Sequence, residues 1–219
     1  MRIINIKTLT IPQAWWELLL NCLAHGHEYT IKQGSHNENK MRKELDFVVI
    51  QITHPSIRPL VPTVPEGIPV PTSMDYVEKD YLPYLLTNNK GPKEEYTYGQ
   101  YFESQYLKCL EILRTAGEAT NQACATIGDM HSIDMPDPPC LRMIDMRIRY
   151  GKLHWFIYFR SWDAFGGFPS NIAGLQLAKE MMAKDLGVED GELIATSKGV
   201  HLYDDAWEWA KMITDTAAI

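Results

Sequence analysis

Two stretches of the chain combine residue types that can do chemistry. In Asp137-Pro138-Pro139-Cys140 two prolines hold the backbone extended and present a thiol at one place. A free thiol titrates near pH 8.5, so it becomes a nucleophile at neutral pH only when a cation draws off its proton. Taken alone, such a cysteine reads first as a small buried apolar residue. The second stretch, Arg160 to Asn171, gathers Arg, Ser, Asp and Asn between a strand-like and a helix-like run. Arg160 and Ser161 suit an anion such as phosphate, because guanidinium and hydroxyl both donate to it. Asn171 carries one donor group and one acceptor, enough to read the edge of a base. The plainer reading is a capped connecting loop. Further on, His201 and Tyr203 alternate and so share a strand face, as core residues or as ligand contacts.

Other chemistry finds no frame. His25-Gly26-His27 lacks the cysteine or carboxylate cluster that would complete a metal site, so no metal is expected. There is no phosphate loop, no dinucleotide fingerprint around Gly166-Gly167 and no GxSxG elbow.

The elements that would position these residues are legible mainly in the second half. Leu141–Tyr150 and Lys152–Arg160 flank Gly151 as a β-hairpin, with Met146 and Ile148 alternating with Arg147 and Arg149. Asn171–Leu186 reads as an amphipathic helix with Ser170 or Asn171 as N-cap and Gly187 as its stop. Leu193–Tyr203 reads as a strand, and Asp204 as the cap of a short helix. Earlier, Pro12–Ala24, Met74–Leu86 and Gln100–Arg114 read as helices, and Phe47–Ile52 as a buried strand. Between them lies a proline-rich connector, residues 54–72. The expected class is α+β, a mixed or antiparallel sheet packed with helices, in a single domain over residues 1–219 in which residues 1–72 are divergent.

Composition bounds the function. Lys and Arg total 21 against 28 for Asp and Glu, a net charge of −7, which argues against a partner as anionic as nucleic acid. No apolar run approaches the roughly 18 residues of a membrane span, and the N-terminus has no signal-peptide core. Four scattered cysteines (Cys22, Cys109, Cys124, Cys140) read as reduced thiols of a cytoplasmic protein.

Taken together, Pro139-Cys140, the run RSWDAFGGFPSNIAGLQLA and the His201-Leu202-Tyr203 pattern resemble thymidylate synthase and the related pyrimidine-nucleotide hydroxymethylases. The short chain and altered first half look most like the divergent archaeal-type thymidylate synthases. Tyr98-Gly99-Gln100 is similar to the Y-G-x that precedes a helix in the same fold. The resemblance implies that Cys140 adds to C6 of the pyrimidine of dUMP, so that C5 can attack a one-carbon unit. The donor would be methylene-tetrahydrofolate or a methylene-tetrahydromethanopterin-like reduced pterin. Arg160 would bind the nucleotide phosphate and lower the Cys140 pKa, and Ser161 would donate to the same phosphate. Asn171 would pair with the O4/N3 edge of the base. Asp163 would meet the pterin, His201 and Tyr203 would hold the ribose hydroxyl, and Tyr98 would join the proton network at C5. The product would be dTMP. The alternatives are a dCMP or dUMP hydroxymethylase, or a non-catalytic nucleotide-binding module on the same fold.

The chain departs from the family pattern in places. Leu141 stands where a histidine usually follows the nucleophile, and Thr120-Asn121-Gln122 where an arginine pair usually crosses a dimer to the phosphate. The resemblance implies a homodimer; the missing pair leaves a monomer open. Glu66 is a weak candidate for the glutamate that organises water at the base.

Overall fold

The computed structural model describes residues 1–32, 38–92 and 94–216. Strand β1 (Ile3–Thr8) leads into helix α1 (Ile11–His25). A reciprocal cap sets that start: the Thr10 hydroxyl accepts from the Gln13 N–H, and the Gln13 side chain accepts from the Thr10 N–H. Strands β2 (His27–Thr30), β3 (Met41–Glu44) and β4 (Phe47–Ile52) follow. The connector carries no regular element, as its prolines predict. The chain then turns helical through α2 (Met74–Tyr76), a wider π-turn (Val77–Tyr81) and α3 (Leu82–Leu86). Next come α4 (Gly99–Ala116), β5 (Cys124–Thr126), β6 (Leu141–Arg149), β7 (Lys152–Phe159) and β8 (Trp162–Asp163). Helix α5 (Gly167–Leu186), β9 (Glu189–Ser197), β10 (Val200–Tyr203) and α6 (Trp207–Thr216) complete the described chain.

The strands form two mixed sheets, of order β1-β4-β9-β7-β6-β5 and β2-β3-β10-β8. The hairpin pairs β6 antiparallel to β7 as expected, turning through Tyr150 (φ 56°) and Gly151 (φ 71°). One face of the larger sheet is dry: Ile144, Trp155, Ile157, Leu193 and Ala195 join a continuous core with α1, α4 and α5. The expected α+β class with a mixed sheet is what forms.

At the candidate site two boundaries differ from expectation; elsewhere Asp204, expected as a helix cap, opens a tight turn that leads into α6. The strand-like run Leu193–Tyr203 is two strands in different sheets, broken at Lys198-Gly199. Helix α5 begins at Gly167, so Ser170 and Asn171 lie inside it and neither is its cap. The Asp163 carboxylate does that work from four residues upstream, accepting the N–H groups of Phe165, Gly166 and Gly167 at 3.1, 3.0 and 2.9 Å. Pro169 is tolerated because the first turn of a helix needs no N–H donor there.

Candidate active site

Two parallel strand pairs, β7/β9 and β8/β10, leave the larger sheet together and enter the smaller one. The crossing needs a close approach at Gly199, where a Cβ would sit 2.9 Å from the Arg160 carbonyl oxygen. The Trp162 N–H then donates to the Gly199 carbonyl at 2.9 Å, and the Ala164 N–H to the His201 carbonyl at 2.7 Å. This seam brings residues 140, 160–163 and 199–203 into one place.

Cys140 ends the Pro138-Pro139 segment one residue before β6, and its carbonyl accepts the Arg160 N–H at 2.8 Å. The Arg160 side chain folds back on that segment. Nε donates to the Pro139 carbonyl at 3.2 Å, and Nη2 to the Pro138 carbonyl and, at 3.3 Å, to Asp137 Oδ1. Burial pushes the Cys140 thiol up, Arg160 pulls it down, and Asp137 pushes it up again; the net direction is upward. The expected lowering by Arg160 is therefore present but outweighed. Its guanidinium is already engaged by one carboxylate and two carbonyls, so Cys140 rests as a thiol.

Beside the cysteine stands a wall of phenols. A cavity of about 370 Å³ is lined by Tyr76, Tyr81, Tyr84, Tyr98 and Asn171, with Asp80 and Glu94 also on its lining. Burial, then neighbouring phenols and Cys140, push the Tyr98 hydroxyl well up, so it keeps its proton. It accepts the Leu141 N–H at 3.3 Å, one residue after Cys140. Such a group can hold or pass a proton, but abstracts one poorly. Tyr81 packs edge-on against Tyr98, and its ring occupies the space a Cβ would fill at Gly174 of α5. Its buried hydroxyl has no hydrogen-bond partner of normal geometry, although the Asn171 amide is close enough to lower its pKa.

His201 is 3% exposed. Nδ1 lies 2.9 Å from the Gly199 carbonyl, an acceptor only, so Nδ1 carries the proton and Nε2 is left as a bare acceptor. Burial first, then Arg42 and Arg160, push its pKa down to about 4, against the Gly199 bond and Asp163. Tyr203 shares its face, as the spacing predicts, with ring centroids 4.7 Å apart. Ser161 lies half-buried between Arg160 and Trp162. Asp163 pairs in register with His201 and spends its carboxylate on the α5 cap.

Sequence reasoning missed three participants. Arg42 stands opposite Tyr203 in the β3/β10 register and holds Glu44 at 2.7 Å and the Tyr29 hydroxyl at 2.6 Å. Trp162 fills the unspecified position of the R-S-x-D run and donates its indole N–H to Asn171 Oδ1 at 2.9 Å. The tyrosine wall had a signal: Tyr81 and Tyr84 at helical spacing, Tyr96 and Tyr98 at strand spacing. Glu66 is exposed on the connector. Among the described residues no group of three or more His, Cys, Asp or Glu could hold a metal ion, and no helix is long and apolar enough to cross a membrane.

Comparison with known proteins agrees with this geometry. The sequence profile of the family described as thymidylate synthase matches residues 104–216, just over half of the chain. A protein of Methanosarcina acetivorans named "Putative thymidylate synthase" is 28% identical over 95% of this chain and 93% of its own length. A protein of Methanothermobacter marburgensis with the same name is 25% identical over 95% and 97%. The "Thymidylate synthase" of Listeria monocytogenes is 38% identical, but over 49% of this chain and 34% of its own. With Cys140, Arg160, Asn171 and His201 gathered around one seam, a family profile over more than half of its length and relatives of matching length among archaea, the chain belongs to the archaeal-type branch of the thymidylate synthase family, enzymes that methylate a pyrimidine nucleotide at C5.

Proposed function

We propose that the chain converts dUMP to dTMP through a covalent bond between Cys140 and C6 of the ring, with a reduced folate or related pterin as methylene donor. The observation that carries the reading is the convergence of Cys140, Arg160, Asn171 and His201, from separate motifs, on one seam beside an aromatic cavity. The bare Nε2 of neutral His201 can accept a ribose hydroxyl proton, with Tyr203 beside it. Arg160 turns from Asp137 to the nucleotide phosphate, with Ser161 as a second donor. Asn171 meets the base, Tyr98 orients water at C5, and the tyrosine wall gives the flat pterin a stacking surface, with Asp163 near its edge.

The Cys140 thiolate adds to C6, and the electron pair released onto C5 attacks the methylene carbon. Loss of the C5 proton with expulsion of the pterin nitrogen then leaves an exocyclic methylene on a ring still bonded to Cys140 at C6. Hydride from the reduced pterin adds to that methylene carbon as the sulfur leaves C6, giving dTMP, whereas addition of water would give the hydroxymethyl product. A homodimer fits the larger sheet's other face, where Met143, Phe156, Tyr158, Ile194 and Val49 remain half-buried.

Tritium release from [5-³H]dUMP and [5-³H]dCMP, with and without reduced folate, tests the proposal. Release from dUMP alone supports it. Release from dCMP alone would move the assignment to the hydroxymethylase, and none from either would leave a binding module.

A further inference from the structure

An asparagine is an ambivalent reader of bases. Flipping its amide by 180° exchanges donor and acceptor at almost no cost in shape, so alone it accommodates uracil or cytosine. Asn171 is not free to do this. Its Oδ1 lies 2.9 Å from the indole Nε1 of Trp162, and an indole nitrogen can only donate. The flipped amide would set N–H against N–H, leaving the indole donor of the buried Trp162 without an acceptor.

The tryptophan itself cannot move aside. It is 2% exposed, stacked on Phe159 at 4.0 Å and 10°, and tilted against Phe168 at 4.8 Å. Its backbone is fixed by the Gly199 carbonyl and the pairing with Val200. The lock thus exists before any ligand arrives. On the other side, Asn171 and Tyr81 line the same cavity, with the Asn171 amide close to the buried Tyr81 hydroxyl, so the amide that Trp162 holds faces a cavity with polar groups on its wall.

We infer that Trp162 is a positioning residue that makes Asn171 selective: by holding Oδ1, it presents the amide in the one orientation that matches a uracil-type edge and opposes a cytosine-type one. The inference rests on the reading that Asn171 faces the ring of the nucleotide. In the locked orientation Nδ2 donates to O4, and the second lone pair of Oδ1 accepts from N3–H. Cytosine offers an amino group where O4 would be and a bare nitrogen where N3–H would be. It can be matched only by flipping the amide and stranding the indole N–H, which corresponds to roughly ten- to a hundredfold in affinity.

The test is the ratio of dissociation constants for dUMP and dCMP, measured calorimetrically on the full chain without cosubstrate. Three proteins are compared: wild type, Trp162→Phe, and a chain with 3-benzothienylalanine at 162, in which sulfur replaces the N–H at nearly unchanged shape. Loss of packing weakens both nucleotides alike, so the ratio reads orientation alone. Wild type should favour dUMP by roughly tenfold or more, and both variants should lose about that factor, chiefly by gaining affinity for dCMP. A preference retained in the benzothienyl protein would overturn the role of Trp162 while leaving the proposed substrate intact. A wild type that prefers dCMP, or binds neither nucleotide, would overturn the substrate reading itself. If Trp162→Phe does not fold, the benzothienyl protein decides alone.

Discussion

His201 should make the fold itself sensitive to mild acid. Its ring is buried and neutral, with a pKa pushed down to about 4 by burial, Arg42 and Arg160, whereas in the unfolded chain it takes up a proton near pH 6.5. Between those values the unfolded state binds more protons than the folded one, so stability rises with pH across the window. The contribution is complete above pH 6.5 and is lost as the pH falls through 4. Each pH unit is worth about 1.4 kcal/mol, so going from pH 7 to pH 4.5 removes about 2 kcal/mol through this residue alone. Other groups titrate in the same range, so the quantity to read is a difference between two proteins. His201→Asn keeps a donor to the Gly199 carbonyl and cannot ionise. Urea denaturation at both pH values should therefore show a fall smaller by about 2 kcal/mol in the variant. Equal falls would refute the argument, because the imidazole would then be ionising no differently in the folded and unfolded chains. A separate NMR titration should find the ring neutral at pH 5 in the folded protein.

Cys140→Ala should abolish tritium release from C5 and leave denaturation little changed, because only a small half-buried side chain is lost. Asp137→Asn should speed alkylation of Cys140 at neutral pH, since it removes a charge that pushes the thiol up and leaves Arg160 uncompensated; Arg160→Met should slow it. Mass spectrometry must resolve this from Cys124, which is exposed and reacts on its own account. Asp163→Asn replaces one accepting oxygen by an NH₂ facing backbone N–H groups, and should cost about 1–2 kcal/mol, or about 4 °C in Tm; an unchanged Tm would mean the cap is idle. Lys179, fully buried and 2.8 Å from Asp190, should cost about 3 kcal/mol or more as Lys179→Met, and less when Asp190→Val accompanies it. Additive losses in a double-mutant cycle would show the pair to be uncoupled.

What could be read beforehand follows from where local pattern and tertiary demand agree. The hairpin was legible because alternation, β-branched residues and a Gly at the turn all favour it. Cys140, Arg160, Asn171, His201 and Tyr203 could be singled out because three separated motifs stand in an order that resembles the thymidylate synthase family, whereas each residue alone reads equally well as core or loop. The start of α5 was not legible, because its cap comes from Asp163 across a loop, outside the window in which Ser170 and Asn171 look suitable. Strands β2 and β3, with sequences HEYT and MRKE, carry almost no apolar alternation; backbone pairing of β3 to β10, and of β2 to β3, makes them strands. Arg42 was hidden with them. Trp162 was hidden differently: nothing in a sequence tells that an indole N–H will end opposite an amide nine residues later.

The seam explains why these residues can act together at all. Arg160 and Trp162 lie on a strand pair that changes sheets where His201 and its neighbours do, and the two crossings touch at Gly199. Each crossing exposes strand-end backbone that β7 or β9 would otherwise use for sheet pairing, and the structure spends these groups on short mutual bonds: Trp162 N–H to Gly199, Ala164 N–H to His201, Arg160 N–H to Cys140. Those bonds fix the backbones of the Cys140 segment, the Arg160–Ala164 segment and the His201 strand relative to one another before any side chain is considered. Side-chain bonds then set orientation on a frame that is already rigid: Asp163 to α5, Trp162 to Asn171, His201 to Gly199. Arg160 differs from these. Its partners at the site include a half-exposed carboxylate at 3.3 Å, an ion pair of the kind worth little in water. Of the charged contacts at the seam it is the one an incoming phosphate can displace at small cost. On the proposed reading Arg160 then exchanges one anionic partner for another, so its own pull on the Cys140 thiol changes little. What changes is the push from Asp137, and any lowering of the thiol pKa on binding follows from that carboxylate, three positions before Cys140 in the chain, moving away.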